Sequence, residues 1–343
     1  MKSLLQLEPP TEQEFKTTTK TVVVSIVLTA ALVIFANFIS IEICNRSSSN
    51  LGYYLLRDKW NRLETSSPID TIVLGDSSGN QGVVPSLLED SLGGSSMNLC
   101  TTAGSLVITD VWMLNRYIEK HGAPKRVVVV HAYDGWLRNR EGHLVNVLSQ
   151  TPQPKEFWSK SNPRVELSTS ESSQLMAAKW FPIYNQNVTL QMFVFNPVGA
   201  FRPPPITDKG FMQVNSANQS RTLREHNKFT KACTNSNFSF SEINEKSVNE
   251  LVALAEKHRF KIYFVTSPIY DQTLANENAK EFCEAAHLWI KQKIRNSNQC
   301  HLLFKTPVPF PIEQLESLDH VNVEGANVFT QMIADRVIEL ESR

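Results

Sequence analysis

The sequence has no surplus of either charge: 34 lysines and arginines stand against 34 aspartates and glutamates. With no long basic run either, nucleic acid is not an expected partner. Metal-type cysteine spacing is also missing. Cys44, Cys100, Cys233, Cys283 and Cys300 are scattered along the chain, so no zinc site is implied, and an odd thiol must stay unpaired in a monomer. Buried free thiols are the expected state, with one disulfide among the last four as the other arrangement. No residue from Thr21 to Ile41 is charged. That length of Val, Ile, Leu, Ala and Phe spans a hydrocarbon core of about 30 Å as a helix. A small-residue cleavage pattern is absent too, because Ala36-Asn37-Phe38 interrupts it, so an uncleaved anchor is expected over residues 21–43. Lysines and arginines flank both ends of the run, and their distribution does not set its orientation.

Around the anchor the chain divides into a polar tail (1–20), a juxtamembrane helix and linker (44–67) and a large domain (68–343). Leu51 to Leu63 reads as a helix packed on that domain, ended by T-S-S-P at Pro68. Strands are expected at Ile69–Leu74, Met97–Cys100, Arg126–His131, from Lys261 towards Pro268, and at His301–Phe304. Helices are expected from Pro85, and over Leu106–His121, Ser241–His258, Asn278–Arg295 and Val323–Leu340. Strands alternating with helices at more than hairpin spacing imply an α/β fold with a parallel sheet of about five strands covered on both faces.

The alternation fades between about 140 and 240, where Asn, Ser, Pro and Gln are frequent. This stretch reads as an insertion over the sheet's carboxyl edge, with a short helix near Thr169–Ala178. Its segment 197–211, containing Pro203-Pro204-Pro205 between Phe201 and Phe211, is expected to be extended or turning throughout and to form part of a cleft rim.

Chemistry-bearing residues gather at one edge of such a sheet. Ser77, Gly104, Tyr133, Asp134, Pro268 and His320 each follow an expected strand, on the side where parallel sheets hold ligands. Ser77 lies in T-I-V-L-G-D-S-S-G-N (71–80), and His320 in D-H-V-N-V-E-G-A-N-V-F-T (319–330). A serine attacks only when a base takes its proton, and a neutral imidazole does this near neutral pH. Gly-Asp-Ser-Ser-Gly is equally a good turn and helix cap, with Ser78 as the alternative hydroxyl. His131, at the end of V-V-V-V-H, is a buried structural histidine, a substrate contact or a competing base.

Together these blocks resemble the SGNH (GDSL-like) hydrolase superfamily, in its membrane-anchored branch related to proteins that handle acyl groups on cell-envelope polymers. The likeness covers roughly residues 68–135 and 258–340. It implies a three-layer α/β/α, flavodoxin-like domain, with Ser77 as nucleophile, His320 as base and Gly104 of M-N-L-C-T-T-A-G (97–104) beside the oxyanion. Asn322 to Ala326 matches the branch's N-x-x-G-A run. Two positions depart from the pattern. The D-x-x-H position holds Ser317, leaving Asp319, another carboxylate or a bare Ser–His dyad to orient the base. In the G-x-N-D block, matched by His131-Ala132-Tyr133-Asp134, Tyr133 stands in place of the donor asparagine, and either its longer hydroxyl reaching the same region or Asn139 is the substitute donor.

The resemblance implies a serine esterase or O-acyltransferase acting on an acylated carbohydrate or small ester, with no cofactor and no metal. It places the large domain outside the cytoplasm. A multispanning membrane acyl-donor protein is the implied partner, with α-helical contacts through the anchor and Leu51–Leu63. Trp136, Trp158, Trp180 and Tyr184 are candidates to stack on sugar rings. An inactive, polymer-binding scaffold of the same fold is the alternative.

Overall fold

The computed structural model describes residues 12–102, 106–139, 145, 148–149, 167–181, 186–234 and 240–343. Two compact units emerge: residues 50–175 with 202–343, and residues 1–49 with 176–201.

The larger unit is a five-stranded, all-parallel sheet. In chain order its strands are β1 (Thr71–Gly75), β2 (Ser96–Asn98), β3 (Arg126–His131), β4 (Lys261–Thr266) and β6 (Cys300–Leu302). They lie side by side as β2-β1-β3-β4-β6. The order reverses between β1 and β3, where a crevice opens beyond the carboxyl ends of parallel strands. Register carries that edge across the sheet: Gly75 lies opposite Val130, and His131 opposite Thr266. A separate parallel pair, β5 (Ile269–Tyr270) with β7 (Pro309–Phe310), was not expected.

Alternation within the strands builds two cores. Ile72, Leu74, Val127, Val129, Ile262 and Phe264 face one way, with Val73, Val128, Val130, Tyr263 and Val265 facing the other. The first face is covered by α2 (Leu51–Thr65), α5 (Leu106–His121), α9 (Glu242–His258) and the end of α10 (Glu277–Ile294). The second is covered by α3 (Ser77–Gly82), α4 (Pro85–Leu92) and α11 (Val323–Glu341). Each such aliphatic or aromatic side chain contributes about 1.5–3 kcal/mol when fully buried, which is why both faces of β1, β3 and β4 read as continuous apolar runs.

Three further helices lie within the expected insertion: α6 (Thr169–Trp180), α7 (Asn187–Phe195) and α8 (Gln219–Thr234). Residues 205–214 turn back on themselves rather than run extended: Ile206 forms an antiparallel bridge to Met212, and the turn between them takes Gly210 at φ +89°. Phe211 is buried with Val73 and Val130, Met212 N–H donates to Asn80 O at 3.0 Å, and Val214 O accepts from Val323 N–H at 2.8 Å. This part of the insertion therefore lies along α3 and the start of α11.

The smaller unit contains α1 (Glu12–Arg46), which begins well before the uncharged run. Within its segment Thr19–Arg46 an 18-residue stretch reaches a mean hydropathy of 2.7, and the segment is long and apolar enough to cross a membrane. All five cysteines are free and buried.

Candidate active site

Ser77 owes its position to its neighbours. At Gly75 the backbone has φ +136°, and a Cβ would lie 1.8 Å from the carbonyl oxygen of Val130, so only glycine allows β1 to turn here. Asp76 then caps α3, its Oδ1 accepting from Ser78 N–H at 2.9 Å and from Ser78 Oγ at 2.6 Å. Ser78 is thereby consumed as cap partner. From Thr71 to Val83, Ser77 is the one residue not buried.

His320 is held by a tight hairpin. Leu315 bridges Val321, and the N–H groups of Glu316 and Ser317 both donate to His320 O. The turn is clamped to α11 by Asn322, whose Oδ1 accepts from Gly325 N–H at 3.0 Å while its Nδ2 donates to Glu313 O at 2.8 Å. A Cβ at Gly325 would sit 2.5 Å from Gln314 O. These contacts give Asn322 to Ala326 its physical meaning: a helix cap and a close backbone crossing that fix the loop carrying the histidine.

The imidazole spans the gap between two groups. His320 Nε2 lies 2.8 Å from Ser77 Oγ, and Nδ1 lies 2.7 Å from Asp319 Oδ1. Ser317 Oγ is also 2.9 Å from Nδ1. Burial alone would lower the His320 pKa, but the Asp319 carboxylate outweighs it and holds the imidazole up, at about 9. Asp319, though adjacent in sequence, thus reaches the ring nitrogen, and Ser317 adds a hydroxyl on the same side.

Tyr133 is engaged elsewhere. Its hydroxyl is buried within 3.1 Å of Thr266 Oγ1 and 3.3 Å of His287 Nε2, and its ring stacks on His287. Ser77, Asp319 and His320 are brought together, whereas no described hydrogen bond brings Tyr133 to them. Gly104 lies outside the described residues. Trp136, proposed as a sugar platform, is instead fully buried in the first core. Trp180 is exposed and belongs to the smaller unit, while Trp158 and Tyr184 lie outside the described residues.

Beneath the serine is a buried ionic cluster that sequence reasoning did not assemble. His131 Nε2 lies 2.6 Å from Asp110 Oδ2, and its Nδ1 3.5 Å from Asp76 Oδ2. Asp76 Oδ2 also accepts from Ala132 N–H at 2.9 Å. Burial alone would raise the Asp76 carboxyl, but the bonds and charge of His131 hold it well below the usual carboxylate range. Burial likewise opposes charge on His131, yet Asp110 and Asp76 together push it up to about 10. Asp110 is raised by burial, partly offset by His131. Through these contacts His131 ties β3, α5 and the turn before Ser77 together. The signal was present: Asp110 is an acid in the apolar run L-V-I-T-D-V-W-M-L, and a buried acid requires a partner.

Among the described residues no group of His, Cys, Asp and Glu is arranged to hold a metal ion. Neither protein-family models nor the sequences of characterised proteins give a match to this chain.

Proposed function

We propose that the chain is a membrane-tethered serine esterase or O-acyltransferase of the SGNH-like, flavodoxin-like type, acting on acyl groups of an envelope carbohydrate polymer. The observation carrying the chemical part is the continuous Ser77–His320–Asp319 relay, joined at 2.8 and 2.7 Å. The carbohydrate and the extracytoplasmic setting rest on the resemblance of the serine and histidine blocks.

In this reading Ser77 Oγ attacks the ester carbonyl while His320 Nε2 takes its proton, and Asp319 holds Nδ1–H and stabilises the imidazolium. The Ser77 and Gly104 N–H groups are the assigned oxyanion donors. The imidazolium then protonates the leaving alkoxide, which departs and leaves the acyl group on Ser77. Water or a sugar hydroxyl next gives its proton to His320 and attacks the acyl-enzyme, and Ser77 recovers its proton as the ester breaks. A multispanning membrane protein is the assigned acyl donor in the transferase version.

One observation favours the second reading, an inactive polymer-binding scaffold: the Tyr133 hydroxyl is occupied by Thr266 and His287, so it does not replace the donor asparagine, and a lost donor costs about 2.7–4 kcal/mol of transition-state stabilisation. A serine-directed organophosphorus probe separates the two. Labelling of Ser77 that disappears in both Ser77→Ala and His320→Ala is expected of the enzyme. An intact, folded chain left unlabelled supports the scaffold. With an activated ester, either substitution should remove most turnover, and the double variant should lose little more.

A further inference from the structure

We infer that residues 176–181 and 186–201 form a second membrane contact, a wedge seated in the lipid interface beside the C-terminal end of α1. This goes beyond the catalytic reading and rests on α1 being a membrane span.

The segment is tied to α1 at two levels. Asn37 Nδ2 donates to Trp180 O at 2.5 Å. Beyond the end of α1, Ser48 N–H and Ser47 Oγ donate to Ala200 O at 2.8 and 2.9 Å. At a rise of 1.5 Å per residue, Asn37 lies about 6 Å inside Ile41, the last residue of the uncharged run, and Ser47 about 9 Å outside it. Trp180 and Ala200 therefore bracket the edge of the hydrocarbon, the depth at which interfacial elements lie.

Its surface is turned inside out for water. In α7 the polar Thr189 is buried at 2% exposure, while Val194 and Phe195 are 71% and 85% exposed. Val198 is 85% exposed, Trp180 62% and Phe181 55%. Lys179 is the only charged residue from Met176 to Phe201. Apolar exposure of this kind is costly in water and matches that of α1, where Leu32 and Phe38 are each 67% exposed. Tryptophan and phenylalanine near a span's end suit the headgroup boundary. The occupant is thus the bilayer itself, and Trp180 faces lipid rather than sugar.

The test uses the full-length chain in vesicles of phosphatidylcholine and phosphatidylglycerol, with nitroxide labels at F195C, V198C and F181C, each read separately. L32C reports the span and E281C the aqueous domain; the native cysteines are buried. Collision with dissolved oxygen is compared with collision with a water-soluble nickel chelate. Labels at 195, 198 and 181 should favour oxygen severalfold over the label at 281, as the label at 32 does. Lipid access at 32 with aqueous access at the three others overturns the wedge alone. Aqueous access at 32 overturns the span and the wedge with it. Labels at 195 and 198 shielded from both reagents would place protein, such as a second copy of the chain, over this surface and overturn the lipid assignment.

Discussion

Asp319 reaches His320 because the Leu315–Val321 bridge bends the intervening residues into a turn whose carbonyl, that of His320, accepts two N–H groups. In an extended strand adjacent side chains point to opposite faces; in this turn they converge. Ser317 shares Nδ1 with Asp319 but carries no charge, so the two should separate experimentally. Asp319→Asn is expected to lower kcat by on the order of 10³-fold or more through loss of the correct tautomer, and Ser317→Ala by about tenfold or less. The pH profile gives an independent reading. A base works when neutral, so activity should rise with pH through the His320 pKa. With Asp319 holding that value up, at about 9, the rising limb of kcat/KM lies to the alkaline side of a free imidazole. Asp319→Asn removes the charge that raises it, and the limb should move to lower pH even as the maximum falls. An unmoved limb would show that another group sets it.

At the scale of elements, the fold was most legible where the burial pattern is strong. V-V-V-V-H could hardly be anything but a central strand, and Leu106–His121 is a helix with the expected bounds. Prolines and small residues obscured the insertion. Helix α8 was missed because it is largely polar, burying only Thr222 and Cys233, and two-residue strands such as β5 leave no periodicity. The serine and histidine were legible from their place at strand ends, but the pairings of Asp110 with His131 and of Lys59 with its acceptors exist only in three dimensions. Lys59 of α2 is fully buried, with Nζ donating to Asn80 Oδ1 at 2.7 Å, to Asn98 O at 3.0 Å and to Gly210 O. It binds α2 to α3, β2 and the insertion, and through α3 to the serine turn. Burial pulls its pKa down from 10.5 to about 7. Between those values the unfolded chain binds more protons at this site than the folded chain, so Lys59 contributes a stability that rises with pH. Lys59→Met should therefore destabilise by several kcal/mol through its orphaned acceptors, each costing about 1–3 kcal/mol. The variant's stability should also fall more steeply than wild type's from pH 7 to 10. Parallel urea-unfolding stabilities of the two proteins across that range would argue against a depressed Lys59.

For the whole molecule, one parallel sheet serves two ends. Its carboxyl edge gathers Ser77 from β1 and His320 from the loop before α11, while the apolar helix α1 belongs to a separate unit. Five buried thiols suit either side of a membrane. Burial pushes the Cys100 thiol well up and Cys233 and Cys300 each to about 11, which keeps them as unreactive thiols rather than thiolates. Placement thus has to be settled by topology. The full-length chain should stay with the membrane pellet after an alkaline carbonate wash, which strips peripheral proteins but not a membrane-spanning helix with an uncharged run from Thr21 to Ile41. Protease added outside intact cells whose outer barrier has been opened should reach the large domain, cutting exposed sites such as Lys280 and Lys291, and leave α1 protected. Release of a shortened chain by the wash would show that the apolar run is removed. A large domain protected until the inner membrane is broken would place it in the cytoplasm, and an envelope polymer could then not be its substrate. Retention with outside cleavage would put Ser77 on the side where such a polymer is found.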